Sequence, residues 1–328
     1  MRIFLSYAMI MVLLFVASVR ARSPKPGLNP VAKAILWQAR QYTHINTIHF
    51  KAVLHDMVTM RTGKIESSIG RYEYWGAGEK YRIDYQHFTP RVDIDYLVTD
   101  NGRHHRAFDR IADILAIGPT HPVQGVTPVI ENPILEPLAP LAHHFPRRLK
   151  TPHIHWVNLA RFARNPNSIF DRCRQVRNCG KKGPRGSLQG CILGAYEGAP
   201  AHVRFTISGG ASHPLVSGWR ANEFRSGSYI RLSRIRYQAF RLKSGRKIFL
   251  PVEYVEKSMI RNLPIPISGP FTTKVFISHV SIDKPIPPGK FTINYKLAGL
   301  IIDETHGKYK YIAVQPTQPA LPRTHILK

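Results

Sequence analysis

Histidine is the residue type whose spacing first invites a chemical reading. Sixteen lie along the 328 residues, and His104-His105, His143-His144 and His153-x-His155 stand closest together. A structural metal needs about four ligands converging on one point. Neighbours on a strand point to opposite faces, so neither adjacent pair can chelate from a single strand. His153 and His155 share a face when extended, which is the better geometry, yet no His-Glu-x-x-His helix or carboxylate pattern accompanies them. No metal and no cofactor is expected. Nucleophilic chemistry has no better support: G-x-S-x-G elbows, phosphate loops and G-x-G-x-x-G turns opening a helix are all absent from the sequence. Asp93 and Asp95 share one strand face, but carboxylates at that spacing are ordinarily solvated. Gly209-Gly210-Ala211-Ser212 reads as a turn. With no catalytic constellation, the expected role is non-enzymatic.

Sulfur and charge carry the next signals. The three cysteines, Cys173, Cys179 and Cys191, fall within one short stretch. In an oxidising compartment one disulfide and one spare thiol follow. Spacing alone does not fix the pairing; Cys173 with Cys179 closes the shortest loop and is the expected bridge. Residues 145–186 carry eleven basic side chains against one acid, Asp171. They are Arg147, Arg148, Lys150, Arg161, Arg164, Arg172, Arg174, Arg177, Lys181, Lys182 and Arg185. Such a stretch can neutralise phosphates, and Phe145, Trp156, Phe162 and Phe170 could stack on bases. An anionic membrane surface or an acidic polymer suits an exported chain better than nucleic acid does.

Export is read from the first residues. Arg2 gives a positive start, Ile3 to Ala17 form an apolar run of 15 residues, and Val19-Arg20-Ala21 offers a cleavage site after Ala21. The run is short for a membrane span, which needs about 20 residues; Arg20 and Arg22 keep an uncleaved anchor as the alternative. Removing residues 1–21 leaves 45 basic against 20 acidic residues, a net charge of +25. That balance attracts anionic surfaces and says nothing about a site.

The elements that must position any site read as mostly β. Val31, Ile35, Leu36 and Ala39 mark one face of a helix over 31–42, started by Asn29-Pro30. Strands are expected at 48–60, 69–85, 92–108, 202–208, 229–242, 247–258, 271–283, 291–295 and 308–313. Hairpin turns are expected at Gly76-Ala77-Gly78, Asp100-Asn101-Gly102 and Ser244-Gly245-Arg246. Short helical pieces are expected at 111–117, 128–142 and 154–162. A meander of this kind makes one large curved antiparallel sheet. The expected organisation is a signal peptide at 1–21, an extension at 22–30, a single β-rich domain over 31–315 with a basic, cysteine-bearing insertion at about 145–200, and a flexible tail at 316–328.

Residues 33–109 resemble the N-terminal half of bacterial outer-membrane lipoprotein carriers of the LolA/LolB type. The resemblance rests on a helix, then the Phe50-x-Ala52-x-Leu54 strand, then the aromatic Tyr72-x-Tyr74-Trp75 strand. Lys80-Tyr81-Arg82-Ile83-Asp84-Tyr85 and Leu97-Val98-Thr99-Asp100-Asn101-Gly102-Arg103 follow. The segments 132–141 (NPILEPLAPL) and 291–304 (FTINYKLAGLIIDE) are similar to secreted planctomycete proteins of unknown function, with Phe291, Tyr295, Gly299 and Asp303 in comparable places. The first resemblance implies an unclosed β-barrel, lidded by helices, whose cavity holds acyl chains of a lipid or acylated protein. Gly76-Ala77-Gly78 stands where the carriers have an Arg-Pro pair, so the role of that pair is not carried over. The cavity would be lined by Ile35, Leu36, Phe50, Tyr72, Tyr74, Tyr81, Ile83 and Tyr85. The expected function is an exported carrier or sensor of an apolar, acylated ligand; the alternative is a cell-envelope adhesion module using its basic face.

Overall fold

The computed structural model describes residues 28–89, 93–118, 132–142, 175–179, 187–196, 199–208, 213–223, 228–259, 269–294, 298–303, 305 and 310–313. Its first element is helix α1 (Pro30–Tyr42). Asn29 caps it by accepting from the Ala32 amide at 2.9 Å, and Pro30 takes the first turn, where no amide is needed. Val31, Ile35, Ala39 and Tyr42 recur at helical spacing and are each at most 1% exposed.

The strands form one open sheet of 15 strands among the described residues. In chain order they are β1 (Thr47–Thr59), β2 (Ile65–Ala77), β3 (Lys80–Phe88), β4 (Asp93–Asp100), β5 (His105–Asp109) and β6 (Ile114–Gly118). Then come β7 (Arg177–Asn178), β8 (Leu188–Tyr196), β9 (Ala199–Ser208), β10 (Leu215–Glu223), β11 (Tyr229–Arg241), β12 (Lys247–Met259), β13 (Phe271–Ile282), β14 (Leu300–Asp303) and β15 (Lys310–Ala313). Two antiparallel meanders, β1–β6 and β7–β13, meet where β1 pairs with β13. The last strands cross to the far edge, where β14 lies parallel to β6. The architecture is the expected one: mostly β, a large unclosed sheet lidded by helical pieces.

Alternation sorts the side chains. On the inner face Phe50, Tyr72, Tyr74, Tyr81, Ile83, Phe205, Trp219, Leu232, Leu250 and Val275 join the buried face of α1 in one core. Gly190 on β8 makes room for the helix: a Cβ there would sit 2.3 Å from Val31 Cγ1. A second lid, a 3-10 turn (Glu136–Leu138) running into the short helical turn α2 (Ala139–Ala142), adds Ile134, Leu135, Leu138 and Leu141, all at most 1% exposed. Each such side chain contributes about 1.5–3 kcal/mol. Trp219 Nε1 donates to the Glu136 carbonyl at 3.0 Å, and the Tyr42 hydroxyl donates to the Ile134 carbonyl at 3.3 Å, tying this lid to the sheet and to α1. A smaller core of Leu97, Phe108, Leu115, Ile293, Ala298 and Ile301 covers the outer face of β4–β6.

The three expected hairpins form, with Gly102 at φ 87° in the second. Several expectations need correction. Residues 114–118 are a strand, because β5 and β14 hydrogen-bond it on both sides. Residues 288–291 form a 3-10 turn after Pro287, and Phe291 and Ile293 are buried side chains of the outer core, so no strand spans 291–295. Strands β8, β10 and β14 were not anticipated. The disulfide joins Cys179 to Cys191, not Cys173 to Cys179. Its cause is register: Arg177 faces Cys191 across β7 and β8, Cys179 follows two residues on, and the bridged Cα atoms are 5.5 Å apart. Cys173, the helical piece at 154–162, the tail at 316–328 and most of the basic insertion lie outside the described residues.

Candidate functional site

At one end of the inner face the packing opens into a cavity of about 280 Å³ between β1–β3, β12–β13 and the second lid. Leu54, Pro133 and Val275 make its apolar wall; Tyr72, Tyr85 and Tyr254 its aromatic one; Asp56, Glu136, Glu256 and Thr273 its polar rim. The cavity exists because the inner face changes character along the strands. On β1, Phe50, Ala52 and Leu54 are followed at the next inward position by Asp56. On β12, Ile248, Leu250, Val252 and Tyr254 are followed by Glu256.

Tyr72 and Tyr85 face each other across β2 and β3. The Tyr72 hydroxyl is buried and meets no hydrogen-bond partner among the described residues. Burial, followed by the neighbouring phenols of Tyr74, Tyr81 and Tyr85, raises the Tyr72 pKa well above its ordinary value. Burial and then the charge of Asp56 push Tyr85 up to about 12. Both are neutral phenols at physiological pH, able to donate a hydrogen bond into the cavity.

One group beside the cavity has the composition of a hydrolase triad. Ser68 Oγ lies 2.9 Å from His87 Nε2, and Asp56 Oδ2 lies 3.0 Å from the same nitrogen. In a working triad the carboxylate holds one ring nitrogen while the other accepts the serine proton. Here both partners converge on Nε2, so the imidazole is not oriented as a base for Ser68. The arrangement instead fixes Asp56, which also accepts from the Thr273 hydroxyl.

Of the eight residues expected to line a cavity, Tyr72 and Tyr85 line this one. Ile35, Phe50, Tyr74, Tyr81 and Ile83 are consumed in the closed core, and Leu36 packs on its margin. The residues that sequence reasoning missed are Asp56, His87, Glu136, Tyr254, Glu256 and Thr273. A carboxylate continuing an apolar strand face, as at Asp56 and Glu256, was the readable signal. Among the histidine clusters, His105 is buried and its Nδ1 lies 3.2 Å from the Tyr81 hydroxyl; His143, His144, His153 and His155 lie outside the described residues. Among the described residues no group of three or more His, Cys, Asp or Glu could hold a metal ion. Asp95 is tied to Arg110 and Gln86, and Asp93 is exposed. Of the eleven basic residues expected as a binding face, only Arg177 is described; it is exposed on β7.

No family model and no curated protein sequence matches the chain. Among solved structures it is similar to a LolA superfamily protein from Nitrosomonas europaea, at 12% identity and a TM-score of 0.42, over 81% of this chain and 100% of that one. It is also similar to a DUF1329 family protein from Desulfovibrio piger, at 9% identity and a TM-score of 0.35, over 80% of this chain and 98% of that one.

Proposed function

We propose that this protein is an exported, non-enzymatic carrier or sensor that takes part of an apolar, acylated ligand into the cavity at Tyr72 and Tyr85. The observation that carries this reading is the buried Tyr72 hydroxyl with no partner among the described residues, beside a cavity with apolar and aromatic walls and a polar rim. An unpaired buried polar group costs about 1–3 kcal/mol, and a ligand carbonyl or hydroxyl would remove that cost. The volume of about 280 Å³ lies just below the range of about 300–1,000 Å³ usual for small-molecule sites. It therefore fits the end of an acyl chain and its first polar group, not a whole lipid. At about 0.8 kcal/mol per buried CH₂, about five buried methylenes contribute about 4 kcal/mol. The export signal read in residues 1–21 supports a place for this activity in the periplasm or cell envelope.

The test is native purification followed by lipid extraction and mass spectrometry, with displacement of a fluorescent fatty acid as the second readout. Co-purified acyl species, and displacement weakened by Tyr72→Phe, support the reading. A clean extract together with no fatty-acid binding overturns it.

A further inference from the structure

Strand register assembles a second feature on the opposite, outer face. Arg177 on β7 faces Cys191 on β8, which faces Arg204 on β9. Arg204 faces Arg220 on β10, Arg220 faces Arg231 on β11, and Arg231 faces Lys257 on β12. Directly paired residues point to the same side of a sheet, so five cations stand in a single file across six strands. At about 4.8 Å per strand the file is about 24 Å long. All five side chains are exposed.

Like charges placed directly opposite one another destabilise a sheet unless an opposite charge sits between them; Glu73 and Asp84 also face each other, and so do Arg241 and Lys247 at the β11–β12 hairpin end. On the outer face of the other meander, Arg110 bridges Asp84 and Asp95, and Lys51 pairs with Glu73. Just beyond the file, Arg236 pairs with Glu253 at 2.9 Å. Within the file, Arg177, Arg204, Arg231 and Lys257 make no ion pair among the described residues. Arg220 is steadied without being neutralised: its guanidinium lies 4.7 Å from the Tyr229 ring centre, and its Nε donates to Asn222 at 2.7 Å. On β9 and β10 the file is one residue wide, and at its β11–β12 end the exposed Arg234 and Lys274 lie beside it. The outward neighbours two positions along carry no Lys, Arg, Asp or Glu: His202, Asn222 and Tyr229 on one side, Thr206, Gly218 and Ser233 on the other.

We propose that the outer face of β7–β12 binds a linear, carboxylate-bearing polysaccharide laid along Arg177, Arg204, Arg220, Arg231 and Lys257. Charge complementarity requires a polyanion. A row of facing cations about 24 Å long suits an extended chain, whereas a membrane plane would engage charges spread over an area. Asn222 and Tyr229 beside the file suit sugar hydroxyls and sugar faces, and export removes the chain from nucleic acid. This site is independent of the inner cavity and stands whether or not the cavity binds lipid.

The experiment uses the full mature chain and polygalacturonate oligomers, with binding followed by calorimetry across a salt series. Vesicles containing phosphatidylglycerol and single-stranded DNA form the comparison arms. Polygalacturonate binds at low salt and weakens as salt rises. Loss of an exposed cation at an anionic partner is worth up to about fivefold, so Arg204→Gln with Arg231→Gln lowers affinity by roughly twenty-fivefold. The control pair Arg241→Gln and Lys247→Gln removes the same charge ten residues along β11, about 33 Å away at ~3.3 Å per residue, and leaves binding unchanged. Melting curves verify folding, and Arg231→Gln alone, with an expected loss of about fivefold, serves if the double variant does not fold. The proposal is overturned by absence of binding at low salt, by equal losses in the two variant pairs, or by vesicles or DNA binding more tightly than polygalacturonate.

Discussion

Tyr72 and Tyr85 meet edge to face on the inner side of the sheet, their ring centres 6.4 Å apart and their planes inclined by 67°. Only Tyr72 is wholly enclosed, and its hydroxyl makes no hydrogen bond to a described residue. Replacing it with phenylalanine keeps the ring pair and deletes the unsatisfied group. Tyr72→Phe should therefore stabilise the ligand-free protein by about 1–2 kcal/mol in denaturant titrations while weakening fatty-acid binding. A loss of stability would mean that the hydroxyl has a structural partner.

The same tyrosines set an alkaline limit. Tyr85 is raised from 10.0 to about 12, and Tyr72 further, so the folded state retains phenolic protons that the unfolded chain releases. The stabilisation is complete below pH 10 and is lost as pH rises from 10 through about 12. Tyrosinate absorbance and the unfolding transition should rise together in that window, and Tyr85→Phe should shift the onset upward. Titration of all tyrosines near pH 10 with the fold intact would contradict the burial of these side chains.

Asn29 does two jobs at the start of α1: it caps the helix and donates from Nδ2 to the Val176 carbonyl beside β7. Asn29→Ala should cost about 1–2 kcal/mol, the usual range for a lost cap. Asn29→Asp keeps the cap but not the donor, so its stability should fall between the two. Thermal melts of the three proteins give the order.

The Cys179–Cys191 bridge spans a sequence separation of 12 and holds the two-residue strand β7 at the sheet edge. Cys191→Ser should cost about 2–3 kcal/mol, chiefly by freeing the unfolded chain. Non-reducing peptide mapping should find Cys173 outside this bridge.

These features differ in how far local sequence encodes them. Helix α1 is legible because Val31, Ile35 and Ala39 repeat at helical period behind an Asn-Pro start. The hairpins are legible because their turns carry Gly. β6 is not: Ile114-Leu115-Ala116-Ile117 is apolar throughout, and its strand state comes from its neighbours β5 and β14. β8 and β10 carry Gly190, Gly194 and Gly218, which dilute the alternating pattern; Gly190 is there because Val31 packs onto it. The cavity lining divides in the same way. The aromatic alternation of Tyr72 to Tyr85 marks the inner face, but which of its members stay at an opening depends on where α1 and the second lid come to rest. The file of cations is hidden for a related reason. Its members lie on five strands, and only register brings them together.

The junction of β1 and β13 also orders events in time. Leu54 on β1 pairs with Val275 on β13, 221 positions later, so the first strand waits for nearly the whole chain to emerge. Contacts so distant in sequence form slowly. Until they do, the 13 residues of β1 offer a bare hydrogen-bonding edge beside an otherwise assembled meander. A chain arrested before Phe271 keeps that edge permanently, and exchange of β13 between two copies is the misfolded product its topology favours.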